Sequence, residues 1–397
     1  MQGQLTPSTL GQTQAPAGPV NVCAAIELSK SRWVVAIQVP TSEKISVHKI
    51  AGGDVRSLLQ LLDRTRSKLI AAGFDQVEVH CCYEIGYDGF WLHRLLEREG
   101  IHNHVLDSAS IYVSRRGRHL KTDRLDAEAL VRVLLALLRG ERRVCSVVQV
   151  PTPREEDEKR LHRSRAALVR DRTRHLARIK GVLALQGVRH VNPARKDWTS
   201  LLKNLQTRDG RPFPPMAMAE IKREAKFLQL VDRMLGELDE QIARRAKKPR
   251  LRRRFHEKYL LPKATQLQLL SGLGPTMSTV FATELFYKTF DNRRQLASYA
   301  GLTPTPYNSG SRERDQGISK AGNPIVRHHA VELAWLWLMH QPDSAISQWF
   351  HERVGDAKGR VRRIAIVAVA RKIIVALWRF LETGLVPEGA RLRTLSR

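Results

Sequence analysis

Cysteine is scarce in this chain. Its 397 residues include only four cysteines, Cys23, Cys81, Cys82 and Cys145. No two of them have the Cys-x-x-Cys spacing that is typical of zinc sites. The sequence therefore predicts reduced core thiols in a cytoplasmic protein rather than a metal site built on sulfur.

Long apolar runs are absent as well. No stretch free of charge approaches the roughly 18 residues that a membrane-spanning helix requires. Residues 1–20 are rich in Gln, Gly, Pro and Thr, and they lack the apolar core and the cleavage pattern of a signal peptide. We expect these residues to form a disordered tail.

Acidic residues are outnumbered by basic ones. The chain has 39 Asp and Glu against 67 Lys and Arg, a formal net charge of +28. Such a surplus predicts a polyanionic partner, DNA or RNA, with a membrane surface as the alternative. The hydrophobic content of 42% indicates a folded protein, and the length allows two or three domains.

Residues 21–150 have the pattern of a first domain that contains a mixed sheet. Apolar or alternating runs predict five strands, at 22–28, 33–39, 44–50, 76–82 and 101–106. Helical periodicity predicts helices at 55–72 and 88–99. Three strands followed by alternating helices and strands indicate an α/β sheet with helices packed on it.

Four acidic residues stand at the ends of these elements. Glu27 ends the first strand, Glu84 follows the fourth, and Asp123 and Asp126 open a later helix on one face. In open α/β sheets, sites collect at the carboxyl ends of strands. The order of the acids is typical of an RNase H-like fold of the RuvC type.

Carboxylates that point the same way need a cation between them, and Mg²⁺ or Mn²⁺ is the ion that we expect at these acids. Two such metals can activate an attacking oxygen and stabilise a leaving oxygen at phosphorus. The alternative interpretation is structural. In it, Asp123 is an N-cap and Asp126 is a solvated acid of the first helical turn.

Residues 151–263 are predicted to be mainly helical. An arginine-rich helix at 154–185 and a second helix at 219–245 could pair as an antiparallel coiled coil and support an oligomer. The basic run at 247–254 favours contact with nucleic acid, although a solvated linker would have the same composition.

Residues 264–390 form a third predicted domain, which is mostly helical. Gly272 and Gly274 lie between two predicted helices, as in half of a helix-hairpin-helix, where backbone N–H groups meet a DNA phosphate. Further helices are predicted at 290–300, 326–339 and 362–381. We expect the tryptophans of the last two helices to lie in the core or in an interface.

Several motifs resemble those of the insertion-sequence 110 family of transposases, the DEDD-type recombinases that are guided by a bridge RNA. The matching segments are Ile26-Glu-Leu-Ser-Lys30 with Trp33, Tyr83-Glu-Ile-Gly-Tyr87 with Trp91 and Leu92, Lys121-Thr-Asp-Arg-Leu-Asp-Ala127, Pro306-Tyr-Asn-Ser-Gly-Ser-Arg-Glu-Arg314, and Gly317-Ile-Ser-Lys-Ala-Gly-Asn323. Glu27 stands where the family usually has Asp. The longer side chain can still bind a metal, but the geometry of the site must shift.

The resemblance maps the nucleophilic serine of the family onto Ser309, in a Gly-flanked loop that would leave its hydroxyl exposed. Ser311 and Ser319 compete for this role, and an ordinary turn serine is the alternative. Two groups of cations are candidates for holding phosphate. They are Arg115, Arg116 and Lys121 before the acidic helix, and Arg312, Arg314 and Lys320 after the serine. For the group before the acidic helix, the alternative is a solvated basic loop.

The function that the resemblance implies is that of a DNA transposase or recombinase with a composite site. The acidic cluster would hold the metal, and Ser309 would attack phosphorus to form a transient phosphoserine–DNA bond. A guide RNA, a homodimer or homotetramer and an association with the bacterial nucleoid are also implied. A RuvC-like nuclease that uses water and a non-catalytic nucleic-acid-binding protein are the alternatives.

Overall fold

The computed structural model describes residues 19–111, 122–141, 144–195, 197–246, 260–309 and 312–393. It divides the chain between Val150 and Pro151 into two compact units. The first unit contains a mixed sheet. The second unit is mostly helical, so the predicted class of α/β plus α is confirmed.

The sheet of the first unit has five strands in the order β3-β2-β1-β4-β5. The strands are β1 (Val20–Glu27), β2 (Arg32–Gln38), β3 (Ser46–Ala51), β4 (Val77–Glu84) and β5 (His102–Leu106). Strand β2 is antiparallel to both β1 and β3, whereas β4 is parallel to both β1 and β5. The sheet is therefore mixed, as the order of predicted elements indicated.

Helices cover both faces of this sheet. They are α1 (Val55–Ala71), α2 (Trp91–Arg98) and α3 (Asp123–Leu138). Leu58 of α1 and Leu92 of α2 pack with Ile26 in one core cluster. Helix α3 packs on the opposite face, which alternation along the strands supplies with small side chains such as Ala25 and Cys82.

The second unit begins with two long helices, α4 (Pro153–Leu185) and α5 (Pro215–Ala246). Arg165 of α4 pairs with Asp239 of α5 at 2.6 Å, and Arg172 pairs with Asp232 at 2.6 Å. Residue numbers rise along one helix as they fall along the other. The two helices are therefore antiparallel, the arrangement that their apolar patterns allowed.

The rest of the second unit is helical apart from one hairpin. Its helices are α6 (Leu260–Leu267), α7 (Pro275–Val280), α8 (Arg293–Tyr299), α9 (Pro324–His340), α10 (Ala345–Val354) and α11 (Arg360–Thr383), and a π-helical turn, Phe281–Leu285, follows α7 directly. Helix α10 was not predicted. Strands β6 (Pro304–Ser309) and β7 (Arg312–Ile318) form the antiparallel hairpin.

The predicted core side chains are largely where the sequence suggested. Cys23, Cys81 and Cys82 are buried free thiols, and burial raises the pKa of Cys23 to about 11. Trp337 is fully buried and donates from Nε1 to the Ser344 hydroxyl at 2.8 Å, whereas Trp335 remains 39% exposed. Among the helices of the described ranges, none has the length and apolar character to cross a lipid bilayer.

The packing of α3 can be tested with a pair of leucines on that helix. Leu130 is 2% exposed and Leu125 is 43% exposed. Leu130→Ala should lower the free energy of unfolding by about 2–5 kcal/mol because it leaves a cavity beneath the helix. Leu125→Ala should change it by less than about 0.5 kcal/mol.

Urea unfolding of the full chain measures both changes, and amide hydrogen exchange in β1 and β4 assigns them to the first unit. Equal effects of the two substitutions would contradict this packing of α3 on the sheet.

Candidate active site

Glu27 and Glu84 end two neighbouring parallel strands, β1 and β4. The register pairs Ala25 with Cys82, so two further residues bring Glu27 level with Glu84. Both glutamates alternate onto the face that carries Ala25 and Cys82, the face that α3 covers. Both are half-buried. The two strands therefore present a pair of carboxylates at one edge of one face.

Helix α3 brings the two aspartates toward the same edge. Its C-terminal residue Leu138 shares a cleft with Asn21 and Cys23 at the start of β1. Further up the helix, the carbonyl of Leu130 accepts from the Cys82 thiol at 3.7 Å. The helix thus runs against the direction of β1 and β4, and its N-terminus points toward their carboxyl ends.

The rise per residue of α3 and β4 indicates that Asp126 and Glu84 lie at a similar height above the contact between Leu130 and Cys82. Asp126 lies four residues before Leu130, about 6 Å along the helix axis. Glu84 lies two residues beyond Cys82, about 7 Å along the strand in the same direction. Asp123 is four residues before the buried Ala127, so both aspartates continue the apolar stripe that faces the sheet.

The N-cap interpretation of Asp123 is wrong. Thr122 is the N-cap of α3, and its hydroxyl accepts from the backbone N–H of Leu125 at 3.3 Å. The threonine side chain satisfies one free N–H group of the first turn, so the carboxylates of Asp123 and Asp126 are not needed to cap the helix. Asp123 is exposed and Asp126 is half-buried.

The donor set suits a hard divalent cation in chemical kind, since all four side chains offer carboxylate oxygens. Their spacing is wider than that of ligands gathered around an ion. In the described part of the chain, the one group of three or more possible ligands with all donor atoms within 4.8 Å is His328, His329 and Glu332 on α9.

The predicted serine lies at the end of a strand rather than in a loop. Ser309 is the last residue of β6, and its register partner is Arg312, the first residue of β7. Arg314 pairs with Tyr307. The expectation of a free Gly-flanked loop at Ser309 is therefore wrong for its backbone, because the ladder of the hairpin extends to that residue.

Some predicted residues lie outside the described ranges. They are Arg115, Arg116 and Lys121 before α3, the competing serine Ser311, and the basic run 247–254.

A tightly packed turn follows the hairpin. Lys320 has φ of 55°, and its carbonyl accepts from Nη1 of Arg327 at 2.7 Å. Gly322 has φ of 108°, and a Cβ there would lie 2.4 Å from the carbonyl oxygen of Tyr299. The backbone is thus held closely while the side chain of Lys320 stays exposed. The backbone N–H of Ser319 donates to the carbonyl of Thr303 at 2.8 Å, which holds Ser319 at the base of the hairpin.

Gly272 and Gly274 frame the start of α7. Gly272 has φ of 92°, and a Cβ there would lie 3.3 Å from Cβ of His340 on α9. Gly274 is the N-cap, and Pro275 follows it at the first helical position. Gly272 therefore allows a close approach of α9, and the phosphate contact of this turn stays a prediction.

The sequence interpretation missed a buried carboxylate, Glu284, in the π-helical turn. Glu284 is 1% exposed. It accepts from His162 Nε2 at 2.8 Å, from Arg163 Nε at 2.6 Å, and from Asn323 Nδ2 at 3.1 Å. His162 and Arg163 belong to α4. Glu284 therefore joins the long helix to the residue that ends the turn after the hairpin.

Asn323 has a second role in this network. Its Oδ1 accepts from the backbone N–H groups of Ile325 and Val326 at 2.9 and 3.2 Å, which caps α9. Its own N–H donates to the carbonyl of Tyr299 at 2.8 Å. The side chain of Asn323 thus fixes the start of α9 and contacts Glu284, and its backbone N–H ties the turn after the hairpin to α8.

The charge of Glu284 is stabilised by its donors. Burial alone raises the pKa of this carboxyl, but the hydrogen bonds from His162 and Arg163 and the guanidinium charge outweigh it and hold the pKa at about 2. Nearby, burial lowers the pKa of Lys159 to about 8. The ammonium of Lys159 lies 3.5 Å from the centroid of the Tyr287 ring. A single Glu within the apolar run 280–286 was the available signal, but sequence periodicity does not predict a π-helical turn.

Comparisons with known proteins identify the class of the chain. A family model described as "Transposase IS116/IS110/IS902 family" matches residues 264–348. The putative transposase y4rJ of Sinorhizobium fredii is 44% identical over 376 residues, 94% of this chain and 95% of that protein. The transposase for insertion sequence element IS1111A of Coxiella burnetii is 26% identical over 266 residues, 66% of each chain.

These similarities define a transposase of an insertion element, a class of enzymes that cut and rejoin DNA. The chain belongs to the IS116/IS110/IS902 family of transposases. The family that the sequence motifs predicted is therefore confirmed, and DNA is its substrate.

The network around Glu284 predicts a pH-dependent stability. The folded pKa lies near 2, below the ordinary value of 4.5, so the charge stabilises the fold above pH 4.5 and that stability is lost as the pH falls toward 2. The difference corresponds to about 3 kcal/mol. Glu284→Gln keeps the shape but removes the charge, so it should destabilise the protein by about this amount at neutral pH.

Thermal unfolding between about pH 3 and pH 7 measures the stability of the wild type and of the Glu284→Gln protein. The difference between their stabilities should decrease as the pH approaches 3. Glu240→Gln is the control, because Glu240 is exposed and pairs with Arg244 at 3.0 Å. If Glu284→Gln lowered the stability equally at every pH, the stabilising role of the Glu284 charge would be contradicted.

Proposed function

We propose that this transposase breaks and joins DNA with a metal-binding carboxylate cluster and a serine nucleophile. The cluster comprises Glu27, Glu84, Asp123 and Asp126, and the nucleophile is Ser309. The observation that carries the proposal is the direction of α3, whose N-terminus approaches the carboxyl ends of β1 and β4. Because of it, acids far apart in sequence are directed toward one edge of the mixed sheet, as expected for an RNase H-like fold.

The four carboxylates would hold Mg²⁺ or Mn²⁺, which polarises a phosphodiester and stabilises the charge that develops on its oxygens. Glu27 and Glu84 provide two ligands from fixed strand positions. Asp123 and Asp126 provide two more from the first turn of α3, where the helix dipole also favours negative charge. Arg115, Arg116 and Lys121 precede this turn and would contact the phosphates of the substrate.

The hydroxyl of Ser309 attacks phosphorus and loses its proton. The bond from phosphorus to one bridging oxygen breaks, and that oxygen leaves on one DNA end and takes up a proton. The other end stays bound to Ser309 through the phosphate. A hydroxyl of a second DNA end then attacks the same phosphorus, joins the strands and restores the serine. Arg312, Arg314 and Lys320 would neutralise the phosphate during these steps.

A guide RNA and a homo-oligomer complete the proposal. The net charge of +28 exceeds what a single short DNA contact requires, and the sequence motifs resemble those of RNA-guided recombinases. The antiparallel pair of α4 and α5 offers a long exposed surface through which protomers could associate. Binding to chromosomal DNA in the cytoplasm would account for a location at the nucleoid.

The serine step is tested by the covalent adduct that it requires. Incubation of the protein with end-labelled DNA should give a band that runs with the protein on a denaturing gel. Ser309→Ala should remove the adduct and reduce cleavage by at least about 10³-fold. Ser311→Ala should retain both.

Cleavage by the Ser309→Ala protein would favour a RuvC-like nuclease that uses water. DNA binding without any cleavage by the wild type would favour a non-catalytic relative.

The carboxylate cluster is tested by a change of charge at constant size. Asp126→Asn should lose about 3 kcal/mol of transition-state stabilisation, on the order of 100-fold in rate, and should weaken Mn²⁺ binding measured by calorimetry. Glu43→Gln is the control, since Glu43 is exposed and lines a cleft with Asn21 at the start of β1.

Glu27→Asp restores the side chain that is usual in the family and should raise the rate. Full activity of the wild type in EDTA, or of the Asp126→Asn protein, would refute the metal proposal.

A further inference from the structure

We propose that a basic cleft in the second unit, between α8, α11 and the segment 385–388, binds the sugar-phosphate backbone of DNA. This inference deepens the proposed function and rests on it. The cleft has a volume of about 880 Å³. Its lining includes Arg293 and Arg294 from α8, three cations from α11, and a single carboxylate.

Helix α11 has an apolar stripe that packs in the core and a basic stripe that lines the cleft. Ile373 and Leu377 are fully buried in the core of the unit. On another side, Arg371, Val375 and Arg379 recur every four residues and line the cleft. The basic stripe therefore follows from the helical repeat of the sequence, and the apolar stripe holds it in place.

Small side chains leave the floor of the cleft open. Ala368 and Ala376 of α11 lie between the cations and line the same space. From Arg371 to Arg379 the stripe extends about 12 Å along the helix axis. Over about that length, one strand of duplex DNA carries roughly three to four phosphates. The cleft therefore has the extent to contact several phosphates at once.

The cations of the cleft lack acidic partners within the described ranges. None of Arg293, Arg294, Arg371, Lys372 and Arg379 lies within 4.0 Å of a carboxylate oxygen there, and Glu388 is the one acid of the lining. By contrast, arginines of α4 pair with acids of α5. Five cations grouped around one carboxylate repel each other unless an anion neutralises them.

One of these cations is also held in position. The ammonium of Lys372 lies 4.4 Å from the centroid of the Trp349 ring on α10, which is a cation–π contact. Such a contact orients the side chain without neutralising its charge. An extended array of fixed, uncompensated positive charge suits a phosphodiester chain, and DNA is the polyanion on which this family acts.

The experiment measures how the affinity of the full chain for duplex DNA depends on salt. The test variant is the triple substitution Arg371→Ala, Lys372→Ala and Arg379→Ala. The matched control removes three exposed cations from α1 of the first unit, with Arg64→Ala, Arg66→Ala and Lys68→Ala. Fluorescence anisotropy with a labelled duplex gives Kd at each salt concentration, and circular dichroism verifies that each variant folds.

We expect the triple substitution in the cleft to reduce the slope of log K against log salt by about 2–3, since each neutralised phosphate contributes about 0.9. The control triple should leave the slope within about 0.5 of the wild type. Ala376→Glu is a second test variant, because it keeps every cation and adds a carboxylate to the floor. It should also weaken binding.

Three outcomes would overturn the inference. Equal losses in the cleft and control variants would mean that general charge, rather than this cleft, binds DNA. A loss seen with single-stranded RNA but not with duplex DNA would assign the cleft to RNA. Failure of the wild type to bind DNA at any salt concentration would refute the proposed function itself, a result distinct from the other two.

Discussion

The direction in which α3 crosses the sheet is the constraint on which the candidate active site depends. Small side chains on both surfaces, Ala25 on β1 and Ala127 on α3, belong to the core cluster between helix and sheet and permit a close approach. Because the helix runs against β1 and β4, its first turn approaches the strand ends where Glu27 and Glu84 stand. Parallel pairing of β1 with β4 matters equally, since an antiparallel pair would put the two glutamates at opposite edges.

The sequence predicted the parts of the fold that depend on local periodicity. Strand alternation and helical repeats identified the five strands of the sheet and the two long helices, because burial on one face imposes those periods. Three features depended on tertiary context and were missed. The hairpin of β6 and β7 lies in the segment 304–318, which has two Pro, two Gly and one Asn, a composition typical of loops. Helix α10 is short, and the π-helical turn around Glu284 has no distinct sequence period.

The cations of the second unit fall into two groups. Some pair with acidic residues of other elements, and others are left to bind an external anion. On α4, Arg165 and Arg172 are paired with aspartates of α5, and Arg163 is committed to Glu284. These arginines contribute to packing between elements. On α8 and α11 the cations face a cleft with one carboxylate. The sequence alone does not separate these two groups of cations, because ion pairing between helices cannot be read from the order of the residues.

The π-helical turn at Phe281–Leu285 has a consequence for how the chain can vary in length. A π turn accommodates one residue more than an α turn over the same rise, so the segment carries an inserted position. Deleting one residue here would restore α geometry, and the side chains of the turn would then point in different directions. Glu284 would then lose its alignment with Arg163 and Asn323 together. The number of residues between the glycine turn before α7 and the cap of α8 is thus constrained by the buried charge of Glu284. Among functional relatives, insertions and deletions in this segment should be rarer than substitutions.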